Sequence, residues 1–238
     1  MLDLPFLPLK SWDALVATHQ AVQEHPLWAN ELARWNSMPL FSNVLPQYEF
    51  MGVGKPPTEL KDWANMRVRA LGGIGEAMRK LGSVPTTVPA PEVYTSLERG
   101  VVQAASFPYS YTFGAYRIHE IGAWFTEGLQ PGTVHCPNVL NGDAYSALPG
   151  EYQKMLKDLI PTAYDALKAA YAEADAKWIP IYKERMKVIT YTPEQSAEFE
   201  RLAAKPVWDD WVEQHKGRFD SRAMLNFVLE TAKKASGS

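Results

Sequence analysis

The chain has 238 residues, 46% hydrophobic and 21% charged, with 24 Lys and Arg against 27 Asp and Glu for a formal net charge of −3. This is the composition of an ordinary folded chain of one or two domains with a sizeable core, and it excludes a basic surface built for nucleic acid or an anionic membrane. The single cysteine, Cys136, excludes an internal disulfide, and no apolar run approaches the ~20 residues of a membrane span.

Ser11 is a good N-cap, and Trp12, Leu15, Val16, His19 and Val22 follow at helical spacing, which predicts a helix over 12–24. Pro26 opens a second helix to Trp35. Met38 to Leu45 reads as a strand, and Tyr48 to Met51 as a short one. Gly52, Gly54, Pro56 and Pro57 form a loop, and Thr58 caps a short helix. Met66, Val68 and Ala70 alternate with Arg67 and Arg69, the period of a strand. Gly72, Gly73 and Gly75 turn the chain into a helix. A short strand at Ser83–Val88, a helix from Pro91 to Gly100, a strand from Val101 to Phe107 and a helix from Pro108 to about Ile121 follow. Residues 133–140 read as another strand.

Gly150 to about Met186 is helical in pattern, which would span roughly 55 Å, with kinks or a break expected at Pro161 and Pro180. A strand at Lys187–Tyr191 and helices at 194–203, 206–215 and 221–233 complete the chain, and the tail from Ala235 is expected to be disordered. Strands alternating with helices predict an α/β protein with a parallel or mixed sheet.

Arg69 lies near the C-terminal end of its strand, where ligands bind in open α/β sheets, and no acidic partner is evident. A guanidinium there can hold a carboxylate through two parallel hydrogen bonds, or pair with a nearby acid at the surface. The glycine turn lacks the third glycine of a dinucleotide fingerprint: Gly73 and Gly75 are followed by Met78. Its glycines fit close packing, or a ligand's approach to backbone N–H groups. The five histidines form no metal-ligand pattern, and no cofactor is expected. Phe107, Tyr109, Tyr111 and Phe113 line an aromatic pocket or pack an amphipathic helix.

Taken together, these segments resemble the solute-binding proteins of tripartite ATP-independent periplasmic (TRAP) transporters, the DctP-like family. LKDWANMRVRA matches the family's L-x-D-x-x-G-x-K-x-R segment, with Asn65 for its Gly and Arg67 for its Lys. PEVYTSLERGVV is close to the family's E-[VI]-Y-T-A-L-x-x-G-x-[VI]-D run, with Gln103 for its Asp. LPFL at 4–7 and ALPGEYQKML at 147–156 fit further family segments.

The resemblance implies a two-lobed, periplasmic binding protein-like α/β fold with a long bridging helix. Lobe I takes 1–44 and 133–172, and lobe II takes 45–132 and 173–238. It implies that Arg69 clamps a ligand carboxylate. Phe107 stands where the family places a ligand contact, with Ser106 and Tyr109 as neighbouring candidates, and Tyr48 or Glu49 falls near a second one. Phe107 in place of an amide favours less polar acids over sugar acids. The implied role is capture of an organic acid in the periplasm for membrane permease subunits, by a monomer or homodimer without enzymatic activity. The family also implies a signal peptide and an N-terminal βαβ segment before Leu4. Neither is visible, so a fragment or late-start reading with an incomplete first lobe and weak binding is expected. A small α/β enzyme using His135 and Cys136, or a non-functional remnant, is the alternative.

Overall fold

The computed structural model describes residues 1–9 and 11–236. In chain order the elements are α1 (Trp12–Glu24), α2 (Pro26–Ala33), β1 (Ser37–Asn43), β2 (Tyr48–Gly52), β3 (Arg67–Arg69), α3 (Gly72–Lys80), β4 (Val84–Thr86), α4 (Val93–Glu98), β5 (Ala104–Pro108), α5 (Tyr111–Ala115), β6 (Trp124–Thr126), β7 (Cys136–Asn141), α6 (Gly142–Ser146), α7 (Gly150–Asp158), α8 (Ile160–Arg185), β8 (Lys187–Ile189), α9 (Pro193–His215) and α10 (Ser221–Ala235).

Six strands form a mixed sheet in the order β4-β3-β5-β2-β6-β8. The β4, β3 and β5 strands run parallel, β2 is antiparallel to both β5 and β6, and β8 is parallel to β6. The alternation read at Met66–Ala70 decides how β3 sits. Met66, Val68 and Ala70 sink into a core with Trp63, Phe50, Ile74, Trp124 and Phe199, leaving Arg67 and Arg69 on the opposite face. That opposite face carries a second cluster of Met51, Val93, Ala105, Phe107, Phe113, Phe125 and Tyr182. A third cluster lies apart from this sheet. It joins Leu2, Leu7, Leu15 and Val22 to Tyr164, Val212, Leu225 and Val228, next to the two-stranded antiparallel pair β1–β7.

Two long helices tie the clusters together. Helix α8 sends Tyr164 to the third cluster and Tyr182 to the second; at 26 residues it spans roughly 39 Å. Helix α9 sends Phe199 and Ala203 to the sheet, and Val207 and Val212 to the third cluster. Helix α10 packs there too, against α1. The apolar face of residues 207–232 is buried among the N-terminal leucines.

Local departures from the expected elements have identifiable causes. The helical run from Gly150 breaks at Leu159, because Pro161 lacks the N–H that would bond back to Lys157 and its ring clashes there. Pro180 and Pro206 lie inside helices that stay continuous, so 194–203 and 206–215 are one helix. The helix expected after Pro108 is a short α5 followed by a 3₁₀ turn. The segment at Leu60–Trp63 is likewise 3₁₀, with Asp62 and Glu59 capping each other. The β6 strand was not anticipated. In the tail, Ala235 ends α10 and Ser236 caps it, while 237–238 lie outside the described residues.

The glycine turn before α3 serves the chain's own N-terminus. A Cβ on Gly72 would stand 2.2 Å from Asp3 Oδ2, and one on Gly73 2.2 Å from the Asp3 carbonyl oxygen. The Asp3 carboxylate thus sits at the start of a helix, where an anion is favoured.

Candidate functional site

Arg69 closes β3, flanked by the loop after β4 and by β5. Its side chain is buried, at 4% exposure. Nε donates to the Val88 carbonyl at 3.1 Å and Nη1 to the Ser106 carbonyl at 2.7 Å. Cζ lies 4.1 Å from the centre of the Phe107 ring, a cation–π contact. An arginine carries five N–H donors, so two are used and three, including both on Nη2, have no acceptor among the described residues. Nor does any carboxylate among the described residues form an ion pair with it. Burial lowers its pKa from the usual guanidinium value, with Tyr48 and Tyr116 acting in the opposite sense. Arginine nonetheless stays charged in proteins. The result is a largely buried cation, fixed by two carbonyls and a ring, with donors left over for an anion.

Phe107 is the ring on this cation, and further aromatic side chains lie beyond it. Phe107 meets Phe113 edge-on at 5.8 Å and stacks on Tyr116 at 6.0 Å with a 20° tilt. The Tyr48 hydroxyl feels both Arg69 and Tyr111, and its pKa is raised chiefly by burial. Tyr111 packs on Tyr171 of α8 at 5.3 Å, and Tyr171 meets Trp12 of α1 at 5.9 Å. The Tyr171 pKa is also raised, first by burial and then by Tyr111, Cys136 and Tyr48. Rings from α5, α8 and α1 thus form one chain of contacts, Tyr111 to Tyr171 to Trp12.

The structure divides the residues expected at the site. Arg69, Phe107 and Tyr48 come together. Ser106 contributes its carbonyl to Arg69, while its hydroxyl is engaged by the Arg69 carbonyl at 3.2 Å. Glu49 pairs with Phe107 across β2 and β5 but is 2% exposed and fully occupied. It accepts from Thr126 Oγ1 at 2.6 Å and from the backbone N–H groups of Gly128 at 2.9 Å, Leu129 at 3.3 Å and Gln130 at 3.3 Å. Burial pushes its carboxyl up to about 8, against the pull of those four donors. Tyr109 stacks on Phe125 at 6.1 Å and donates to Glu127 at 3.3 Å. Tyr109 and Glu49 line a separate cavity of about 240 Å³ with Trp12, Gln47, Gln130 and Asp175.

Tyr116, stacked on Phe107, and Tyr171, packed on Tyr111, are rings that sequence reasoning missed. Tyr171 is more than 100 positions from Arg69, on a helix read for length alone. Arg67, the clamp's neighbour in sequence, is exposed and donates to the Val101 carbonyl at 2.9 Å and the Gly100 carbonyl at 2.8 Å, where α4 ends. His135 and Cys136 take separate environments. The His135 ring packs on His19 at 5.2 Å and Trp28 at 5.3 Å, whereas exposed Cys136 acts on Tyr48 and Tyr171. No described helix is long and apolar enough to cross a membrane.

Comparison with known proteins places this geometry. The chain is 25% identical over 169 residues to the ectoine/5-hydroxyectoine-binding periplasmic protein UehA of Ruegeria pomeroyi, covering 68% of this chain and 49% of that protein. It spans about half the length of the curated relatives it matches. A TRAP solute-binding protein of Rhodoferax ferrireducens, solved with copurified benzoate, superposes with a TM-score of 0.84 at 20% identity, covering 99% of this chain and 74% of that one. A TRAP periplasmic solute-binding protein of Desulfovibrio salexigens with bound orotic acid gives 0.81 at 18% identity, covering 98% and 74%. The two-lobed α/β fold is thus that of TRAP solute-binding proteins. The family model for bacterial extracellular solute-binding protein, family 7 (DctP), matches residues 47–215, from the start of β2 to near the end of α9, and the chain belongs to that family.

Proposed function

We propose that this chain captures a small organic acid outside the cytoplasmic membrane, as the solute-binding subunit of a TRAP transporter, and presents it to membrane permease subunits. The single observation that carries the reading is Arg69: a buried guanidinium with three open donors and no carboxylate partner among the described residues. An organic carboxylate supplies the missing charge and accepts two of those donors side by side. Phe107 holds the guanidinium from one face, and Tyr48 bounds the site. Benzoate and orotate in the two solved relatives are acids of this kind.

The packing supports two lobes. One holds the six-stranded sheet with its two clusters, and the other holds 1–44, 133–172 and the chain from about Ala204 onward. Helices α8 and α9 cross between them, and closure about these crossings is the motion that would trap the acid. Isothermal titration of the chain with a panel of organic acids tests the proposal. Binding without turnover is expected, with a loss of at least about 100-fold in Arg69→Ala, the cost of removing a charge-assisted hydrogen-bonding partner. Turnover that requires Cys136, or binding indifferent to Arg69, would refute it.

A further inference from the structure

We propose that Glu49 is the positioning residue of the hinge: its carboxyl pins the sheet-side end of the connection from β6 to β7, so that the lobes close on the acid by turning about Gln130–Gly132. The inference rests on the acid-capture reading and adds the place where the chain turns. Three observations carry it.

The first is where the hydrogen bonds change partners. Two strand connections pass between the lobes, 44–47 from β1 to β2 and 127–135 from β6 to β7. Glu49 lies at the sheet end of the first and holds the start of the second, through Thr126 and the N–H groups of Gly128, Leu129 and Gln130. Leu129 is buried in the core under the sheet. From the next residue the partners are the N-terminal segment and the other connection. The Pro131 carbonyl accepts from the Phe6 N–H at 3.0 Å, the Gly132 carbonyl accepts from the Tyr48 N–H at 2.9 Å, and Thr133 Oγ1 donates to the Leu45 carbonyl at 2.9 Å.

The second is backbone conformation. Gly128, Gln130 and Gly132 have φ of 85°, 45° and 151°. Glycine takes such values freely, whereas Gln130 is held there by its surroundings. Among the described residues, the Gln130 N–H has Glu49 as its acceptor. Hinges are a few loop residues that absorb the change in φ and ψ, and the held residue and the glycine after the last Glu49 contact are where that change can fall.

The third is room to move. The cavity of about 240 Å³ beside Glu49 is lined by Trp12 of α1, Gln47 of the first connection, Gln130 of the second and Asp175 of α8. Gln47 Oε1 is buried without a partner. Interiors are otherwise close-packed, so a void where these elements meet lets the lobes turn without forcing side chains together.

The test is the distance between two spin labels on the full chain, read by pulsed electron double resonance, with isothermal titration beside it. Glu98→Cys on the sheet lobe and Glu151→Cys on the other, both at exposed positions, carry the labels in a Cys136→Ser background. Benzoate and orotate are the probes. Glu49→Ala is expected to broaden the acid-free distance distribution about twofold and to weaken acid binding tenfold or more, although Glu49 and Arg69 share no hydrogen bond. Glu49→Gln keeps an acceptor for Gly128 and Gln130 and is expected to restore both readings. Thr126→Val removes one of the four donors and should shift both in the same direction by less. Where melts show that Glu49→Ala does not fold, Thr126→Val decides in its place. An unchanged distribution and affinity in Glu49→Ala overturns the hinge role, and so does a Glu49→Gln variant that behaves like the alanine one. If neither acid binds, or if Arg69→Met binds as well as the parent, the acid-capture reading falls, while the acid-free distribution still decides for or against the hinge role.

Discussion

Arg69 and Glu49 are both buried ionisable groups projecting from one face of one sheet, each beside Phe107, and they are treated in opposite ways. Glu49 is closed. A hydroxyl and three backbone N–H groups converge on it from the segment 126–130, so its oxygens have nothing left to offer a ligand. Arg69 is open. Two carbonyls and a ring fix its direction, and three donors remain. A buried ionisable group whose partners are all internal ties strands and loops together. One whose partners are incomplete is tolerated where a ligand completes them. The two groups therefore predict different phenotypes, and the comparison can be broken.

The largest stability effect is expected at Glu49. Glu49→Ala leaves four donors without an acceptor and should cost on the order of 3 kcal/mol in urea unfolding. A loss below about 1 kcal/mol would mean the cluster does not hold the 126–130 segment. The same residue sets a pH dependence. Its folded pKa lies above the unfolded one, at about 8 against 4.5, so the folded state binds its proton more tightly. Its contribution is full below about pH 4.5 and is lost as pH rises through about 8, with a slope of at most ~1.4 kcal/mol per pH unit. Glu49→Gln should flatten that slope; melts at pH 5 and pH 8 in both proteins measure it.

Arg69→Met should do little to the ligand-free protein. It removes an uncompensated buried cation but also two hydrogen bonds, and the net change should stay within about 1 kcal/mol. A loss as large as that of Glu49→Ala would show that Arg69 is structural and end the contrast. The smallest effect is expected at Arg67, which is exposed and bonds only the carbonyls after α4. Arg67→Ala should cost at most about 1 kcal/mol and leave organic-acid affinity unchanged, which separates the two arginines of one strand.

Part of this arrangement was legible in the sequence. The alternation of Met66, Val68 and Ala70 with Arg67 and Arg69 is local, and it put the arginines on the face opposite the core. The resemblance of LKDWANMRVRA to the family's segment singled out Arg69 over Arg67. What could not be read is what arrives from a distance. Glu49 is filled by residues nearly 80 positions later, in a glycine-containing turn with no pattern of its own. Tyr171 reaches the cleft from a helix whose outer residues are mostly polar, so its periodicity signals no buried face there. Helix α10 packs on α1 across the whole length of the chain. The prolines misled in one direction only. Pro161 ended a helix as its lost hydrogen bond requires, while Pro206 was absorbed by packing on both sides, from Phe199 and Ala203 to Val207 and Val212.

The open clamp is tested most directly by a crystal structure of the chain with its tightest-binding organic acid. The prediction is a carboxylate with its two oxygens within about 3.2 Å of Arg69 donors, Nη2 among them, and Glu49 still bonded to the 126–130 segment. A ligand carboxylate bound elsewhere, with Arg69 contacting only Val88, Ser106 and Phe107, would contradict it.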